Sequence, residues 1–475
     1  MSSNEMGDNF KAQRDLAVRH EAAAETLEAQ GDLGAALKDY QTALAIRRQL
    51  AAADPSNTEH QRNLALGLLR IGTILTAQGD LDGALAHDEE SLAIWQQRVA
   101  AEPADEDWHG LATSRERLGE TLEAQGNLEG ALEQYQECLA VGQQLLAEDP
   151  TSVDWQSELA LGHMNIGGVL SAQGDLDGAL EHYQESLAIK EQLAAEDPSD
   201  PEWQGSLAYS HESVGDALSA QGDLDGALEH YQESLAIKEQ LVAADPADGE
   251  WQGALAFSHD TVGDTLDAQG DLEGALEHYQ KALAIWQQLA SADPSDTDSQ
   301  DELAFGHQKV GDNLEAQGDP DGALERYQES LAIWQRLAAA DAADTEWPHN
   351  LAFTHEKIGN TLEGQADLFG ALKSYQASLA IRQQLVAADP ANTEWQSDLA
   401  FSVERIGEIL EEQGDMAGAL RNYEQSVAML QQLVHADPAN AEWQRDLVIV
   451  QQRIADIMEM PGGGGSPGVG TSPRA

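Results

Sequence analysis

The sequence predicts an all-α protein, a solenoid of nine helix-pair repeats followed by a C-terminal capping helix. Three observations lead there. The Gln-Gly-Asp signature, or a close variant, recurs at Gln30, Gln78, Gln125, Gln173, Gln221, Gln269, Gln317, Gln365 and Gln413, 48 residues apart except for one step of 47. A fixed period of that length marks a solenoid, whose units bury their apolar faces only on their neighbours. Within a unit the apolar residues follow a helical spacing, as at Leu207, Val214 and Leu218. Gly-Asp punctuates the middle of a unit and Asp-Pro closes it, so each unit divides into a helix A and a helix B.

Taken in order, residues 1–11 are polar and are expected to form a flexible N-terminus. The solenoid is expected over 12–460, with repeats starting near 12, 60, 108, 155, 203, 251, 299, 347 and 395 and the capping helix from 443. In the fifth repeat Gly222 fits the left-handed residue that ends helix A, and Asp223 fits the N-cap of helix B. Helix B then runs through Ala227, Leu228, Tyr231, Leu235 and Leu241 to Asp245-Pro246, where proline withholds a donor. Pro320 directly follows Asp319, at the first helical position, which tolerates proline. Ala366 replaces the turn glycine, and a left-handed alanine there costs about 1 kcal/mol. Residues 461–475 are rich in Gly and Pro and are expected to be a disordered tail.

Small residues recur in helix A at Gly72, Gly119, Gly167, Gly215, Gly263, Gly311, Gly359 and Gly407. Because glycine in a helix interior costs about 1 kcal/mol against alanine, the column is expected to admit a close helix B, with the Ala179, Ala227 and Ala275 series opposite it. A tyrosine series (Tyr40, Tyr135, Tyr183, Tyr231, Tyr279, Tyr327, Tyr375, Tyr423) fills the next layer, and Asp88 interrupts it. The second repeat is therefore the expected weak point.

The order Gly215, Ala227, Tyr231, Ser234, Pro246 resembles the tetratricopeptide repeat, and the resemblance covers about residues 12 to 458. That repeat is about 34 residues long, so each helix here is about two turns longer, similar to the long-helix repeats of kinesin light chains. The resemblance implies a right-handed superhelix, a concave surface lined by helix A, and protein partners. Those members of the family that hold acidic C-terminal tails do so with Lys, Arg and Asn on the helix A face, where this sequence places acids.

The chain has 85 Asp and Glu against 25 Lys and Arg, a formal charge of -60. Nucleic acid and anionic membrane, which demand a basic footprint, are disfavoured as direct partners, so neither is expected. A basic protein or peptide, or multivalent cations, would be attracted; the acidity would equally serve solubility alone. Cys138 is the one cysteine, so neither an intrachain disulfide nor a cysteine zinc site is expected. Neither a signal peptide nor a long apolar span is apparent, which makes a cytoplasmic protein the expectation. No phosphate loop, Gly-x-Ser-x-Gly, His-Glu-x-x-His or Cys-x-x-Cys occurs, so a non-enzymatic protein without cofactor or metal is expected. Asp-Leu-Asp-Gly at 175–178 lacks the calcium-loop pattern and reads as a helix cap. His163, His211, His259, His307 and His355 form one ladder and His182, His230 and His278 another. Equivalent side chains one repeat apart stand about 10 Å from each other, so packing or hydrogen bonding is favoured over a shared metal.

The candidate partner-binding residues lie on helix A. Tyr209, Phe257, Phe305, Phe353 and Phe401 share a register two residues past the core leucine, about 200° around the helix from it. Carboxylates follow on that face: Glu212 and Asp216, Asp260 and Asp264, Asp312, Glu356, Glu404 and Glu408. This pattern suits a channel for an extended or helical segment with apolar anchors and Lys or Arg. The alternative is that the rings pack on neighbouring helices and only the acids meet solvent. From a different class, near-identical units could self-associate end to end once cations neutralise the charge.

Overall fold

The protein is described by a computed structural model over residues 3–101, 104–341 and 344–459, with side chains from residue 10 onward. The described residues form nineteen α-helices and no strand. They divide into two compact units, Met1–Leu241 and Val242–Ala475.

The first unit holds the pairs α1 (Ser3–Ala29) and α2 (Leu33–Ala53), α3 (Thr58–Ala77) and α4 (Leu81–Ala101), α5 (Asp105–Ala124) and α6 (Leu128–Glu148), α7 (Val153–Ala172) and α8 (Leu176–Glu196), and α9 (Pro201–Gln221) with α10 (Leu224–Ala244). The second holds α11 (Gly249–Gln269) and α12 (Leu272–Ala292), α13 (Thr297–Ala316) and α14 (Pro320–Ala340), α15 (Glu346–Gly364) and α16 (Leu368–Ala388), α17 (Thr393–Glu412) and α18 (Met416–Ala436), then α19 (Ala441–Glu459). Within each unit, helices consecutive in sequence pack on one another. This is the helix-pair solenoid that the period implied.

The turn chemistry follows the sequence. Gly222 takes φ 84°, its N–H donates to Ser219 O at 2.9 Å, and Asp223 Oδ1 accepts from Gly226 N at 3.1 Å. Pro320 opens α14 at its first turn. Ala366 is left-handed at φ 62°. After α1, the helices A start one to three residues before the expected positions, because the capping residue lies further upstream: Asp200 accepts from Glu202 N at 2.8 Å, and Pro201 opens α9. At the N-terminus α1 begins at Ser3, so most of the segment expected as flexible is helical; it contains no proline to prevent it. The tail at 461–475 lies outside the described residues.

One packing expectation is corrected. The alanine series of helix B is fully buried at Ala179, Ala227 and Ala275, yet the helix A glycines do not face it. A Cβ on Gly215 would stand 2.6 Å from the Tyr231 ring, and one on Gly311 the same distance from the Tyr327 ring. Glycine in helix A thus seats the tyrosine ring of helix B face-on. In the second repeat the seat under Gly72 holds the Asp88 carboxylate instead, fully buried. Cys138 is buried and donates to Ala112 O at 3.5 Å, and burial pushes its thiol up to about 12. No described helix is long and apolar enough to cross a membrane.

Candidate partner-binding face

The aromatic residues of helix A lie at the surface of each unit, most of them exposed. Tyr209 on α9 is 57% exposed, and Phe257, Phe353 and Phe401 on α11, α15 and α17 are 49%, 40% and 44% exposed. Phe305 on α13 is half-buried. In two repeats a ring edge rests on helix B: Phe257 meets Trp286 edge-on at 4.9 Å between centroids, and Phe305 meets Trp334 at 5.0 Å. Lys357 stands 4.8 Å over the Phe353 ring. Phe257 is therefore anchored along one edge and still about half exposed.

The carboxylates separate by depth. Asp216, Asp264 and Asp312 form an outer row in which each accepts the hydroxyl of the helix B tyrosine, at 2.7 Å from Tyr231, 2.8 Å from Tyr279 and 2.6 Å from Tyr327. In the second unit a cation from the following helix A joins each. Lys309 Nζ lies 2.6 Å from Asp264 Oδ2 and Lys357 Nζ 2.8 Å from Asp312 Oδ1. Arg405 donates to Glu363 at 2.5 Å and also meets Glu408, which Arg453 approaches from α19. The strip expected to be purely acidic is thus interleaved with cations in the second unit. Lys309, Lys357 and Arg405 stand two residues before the core glycine, a register that a count of acids alone passes over.

An inner row lies deeper. Glu212 accepts from Lys238 Nζ at 2.5 Å and Ser234 Oγ at 2.9 Å, and Glu356 pairs with Arg382 at 2.8 Å. Asp260 is buried and its Oδ1 has no hydrogen-bond partner. Burial pushes the Asp260 carboxyl up to about 7, with Lys309 opposing and Asp264 adding to the shift. Burial and then Glu408 push Glu404 up to about 7, against Arg453. Glu116, absent from the expected set, sits at the same register and is pushed to about 7 by burial and the neighbouring Glu120 and Glu158.

The histidine ladders meet, which inspection of each ladder alone does not show. His163 and His182, His211 and His230, and His259 and His278 each approach Nδ1 to Nδ1 at 3.1 Å, one imidazole donating to the other. Burial lowers the basicity of His163, His182, His211, His230 and His259, in His259 to about 4, which favours their neutral forms. Among the described residues no three metal-ligating side chains come together.

Comparison with known proteins places the tetratricopeptide repeat model on residues 61–144, 158–240 and 206–288. Solved structures similar to this chain include BtubC (BKLC) from P. vanneervenii, 20% identical over 56% of this chain and 92% of that one, TM-score 0.43. A putative kinesin light chain from Podosopora anserina with nearly identical TPR-like repeats is 19% identical over 50% of this chain and 100% of that one, TM-score 0.38. A Signal Transduction ATPase with Numerous Domains with a tetratricopeptide repeat sensor, from Pyrococcus horikoshii, is 11% identical over 88% of this chain and 55% of that one, TM-score 0.48. Comparison with curated proteins finds no match.

Proposed function

Since this chain is a tetratricopeptide-repeat protein, we propose that it is a non-enzymatic scaffold whose helix A face takes a basic, apolar-anchored peptide or protein segment. The observation that carries this is the exposure of the rings at Phe257, Phe353 and Phe401 in the second unit, and of Tyr209 in the first. Large rings that keep 40–57% of their surface in water are costly to solvate, and a partner that covers them recovers that apolar area. The outer carboxylates beside them remain about half exposed even when paired, 54% at Asp264 and 47% at Asp312, and so can share a partner's Lys or Arg. Asp260 and Glu356, and Glu408 in the outer register, set the field more than the contact, since they are mostly covered. Tyr209, Glu212 and Asp216 supply the same pattern on the first unit.

The test is fluorescence anisotropy of the full chain with a labelled peptide that alternates arginine with leucine. Binding should weaken steeply with added salt. The triple variant Phe257→Ala, Phe353→Ala, Phe401→Ala should weaken it about tenfold or more, as loss of aromatic anchors does. Equal affinity for the triple variant and the parent would remove the helix A face from the binding site. A second reading, cation-dependent self-association, is favoured by Val448, Ile449 and Met458, which α19 leaves 43–67% exposed. Light scattering that rises with magnesium in the absence of any peptide would support that reading instead.

A further inference from the structure

In three helix pairs the chain itself inserts a cation at one place. Arg47 reaches Glu21 through Nε at 2.9 Å and Nη2 at 2.7 Å, Lys238 reaches Glu212 at 2.5 Å, and Arg382 reaches Glu356 at 2.8 Å. All three cations are more than nine-tenths buried. Each stands 26 residues after its acid, on helix B. Arg382 also reaches forward to the next helix A: Nη1 donates to the Asp398 carbonyl at 3.1 Å and to Ser402 Oγ at 2.7 Å, and Nε lies 3.9 Å from the Asp398 carboxylate. One guanidinium therefore joins a carboxylate on α15 to a carboxylate on α17. Lys190 makes the same forward reach, to Ser206 Oγ at 2.5 Å.

Three other pairs keep both acids and lack the cation. Glu116, Asp260 and Glu404 hold the first acid position and Glu158, Glu302 and Asp446 the second, in steps of 144 residues, but the helix B position between them holds Gly142, Trp286 or Leu430. At Asp260 a neutral indole, Trp286, stands beside the carboxylate in the cation's place, and the buried Oδ1 makes no direct hydrogen bond. At Glu404 the consequence is visible as space. A cavity of about 150 Å³ opens between Glu404, Leu430 and Asp446, and Asp398, Phe401 and Glu442 complete its walls. The cations nearby have other partners: Arg405 and Arg453 meet Glu408, and the exposed Arg445 lies 3.6 Å from Asp446 and 3.9 Å from Glu442 at the rim.

We propose that the Glu404–Asp446 cavity is a receptor for an arginine or lysine side chain of a partner segment, which there takes the place that Arg382 fills one repeat earlier. The proposal rests on the scaffold reading and specifies where its basic residue goes. Leu430 and the Phe401 ring line the path for the aliphatic stem, and the two carboxylates face each other across the head group's position, as Glu356 and Asp398 do across Arg382.

The experiment compares the arginine–leucine peptide with its citrulline counterpart, equal in shape and uncharged, on the full chain and on Leu430→Arg. The parent should prefer the arginine peptide. Leu430→Arg, whose own guanidinium fills the cavity, should lose about tenfold in affinity for it, the scale of a close charge pair, and should melt at a higher temperature. Should Leu430→Arg fail to fold, the double variant Glu404→Gln, Asp446→Asn should show the same loss. Unchanged arginine-peptide affinity in either folded variant, with the parent still binding, overturns the receptor and leaves the scaffold reading standing. Equal affinity of the parent for the arginine and citrulline peptides also overturns it. Failure of the parent to bind either peptide overturns both.

Discussion

Thr121 on α5 donates its hydroxyl to Asp88 Oδ2 on α4 at 2.8 Å, while Oδ1 of the same carboxylate is buried without a partner. Asp88 is fully covered, and burial raises its pKa against the opposing Thr121 hydrogen bond, so its carboxylate is costly to hold there. In repeats three to nine this seat holds a tyrosine ring under the helix A glycine. Asp88→Tyr should therefore stabilise the first unit by about 1–2 kcal/mol, within the range of consensus substitutions. Thermal denaturation at neutral pH measures it, and a lower melting temperature would show that the seat under Gly72 has closed around the smaller side chain.

Ala366 is the one non-glycine residue with positive φ among the described residues, at 62°. Its turn is otherwise the same as its neighbours', since Ala366 N donates to Glu363 O at 2.8 Å and Asp367 N to Leu362 O at 2.9 Å. Ala366→Gly should gain about 1 kcal/mol by removing the Cβ penalty, less the extra entropy of glycine in the unfolded chain. Urea titration gives the difference directly; no gain would mean that the entropy term cancels the strain.

The helix pairs were legible because their punctuation is local. Gly222, Asp223 and Pro246 dictate turn, cap and stop within a few residues of themselves, and such effects do not depend on the rest of the chain. The exposure of the rings was legible for a similar reason, because Tyr209 sits on a helix whose core face is set by Leu207 and Val214, and Phe257 on one whose core face is set by Leu255 and Val262. What the sequence concealed are the contacts between helices. Gly215 faces Tyr231 and not Ala227, a choice set by the relative rotation of two helices that their separate periodicities do not specify. The staple from Lys309 to Asp264 joins residues 45 apart, between consecutive helices A. A tally of charge by type merges that pair into the surplus of acid. The same holds for His211 and His230, two ladders that look independent until helix A is laid on helix B.

Gly311 seats the Tyr327 ring, and a Cβ there would stand 2.6 Å from Cε1. Gly311→Ala gains about 1 kcal/mol of helix propensity and loses about 1–3 kcal/mol to overpacking, so the net effect should be destabilising. Combining it with Tyr327→Leu should cost less than the sum of the two single changes, because the shorter side chain relieves the clash. A double-mutant cycle by urea denaturation checks this, and simple additivity would mean that the ring is not what the glycine accommodates.

Lys357 binds Asp312, which also receives the Tyr327 hydroxyl, so one carboxylate ties α15 to α13 and α14. The lysine is 21% exposed and the aspartate 47%, which leaves the pair screened by solvent. Lys357→Met should cost about 0.5–1 kcal/mol at low salt and less at high salt. Melting curves at two ionic strengths would expose an error here: a penalty that persists at high salt assigns the loss to packing of the lysine stem on Phe353 and not to charge.

Glu404 links stability to pH. Its carboxyl is pushed up to about 7 in the folded chain by burial and by Glu408, and the unfolded value is near 4.3. A carboxyl raised on folding favours the native state at low pH, and that contribution is lost as pH rises through about 7. Glu404→Gln removes the ionisation, so relative to the parent it should gain stability between pH 5 and pH 8, on the order of 1–2 kcal/mol after allowing for solvent screening. The buried histidines shift the other way. Their depressed basicity costs stability as pH falls below 6.5, but they are common to both proteins and cancel in the difference. Melting temperatures of the two proteins should therefore diverge as pH rises. A constant gap from pH 5 to pH 8 would show that Arg405 and Arg453 already hold Glu404 ionised, and that the cavity beside it has less demand for a partner's cation.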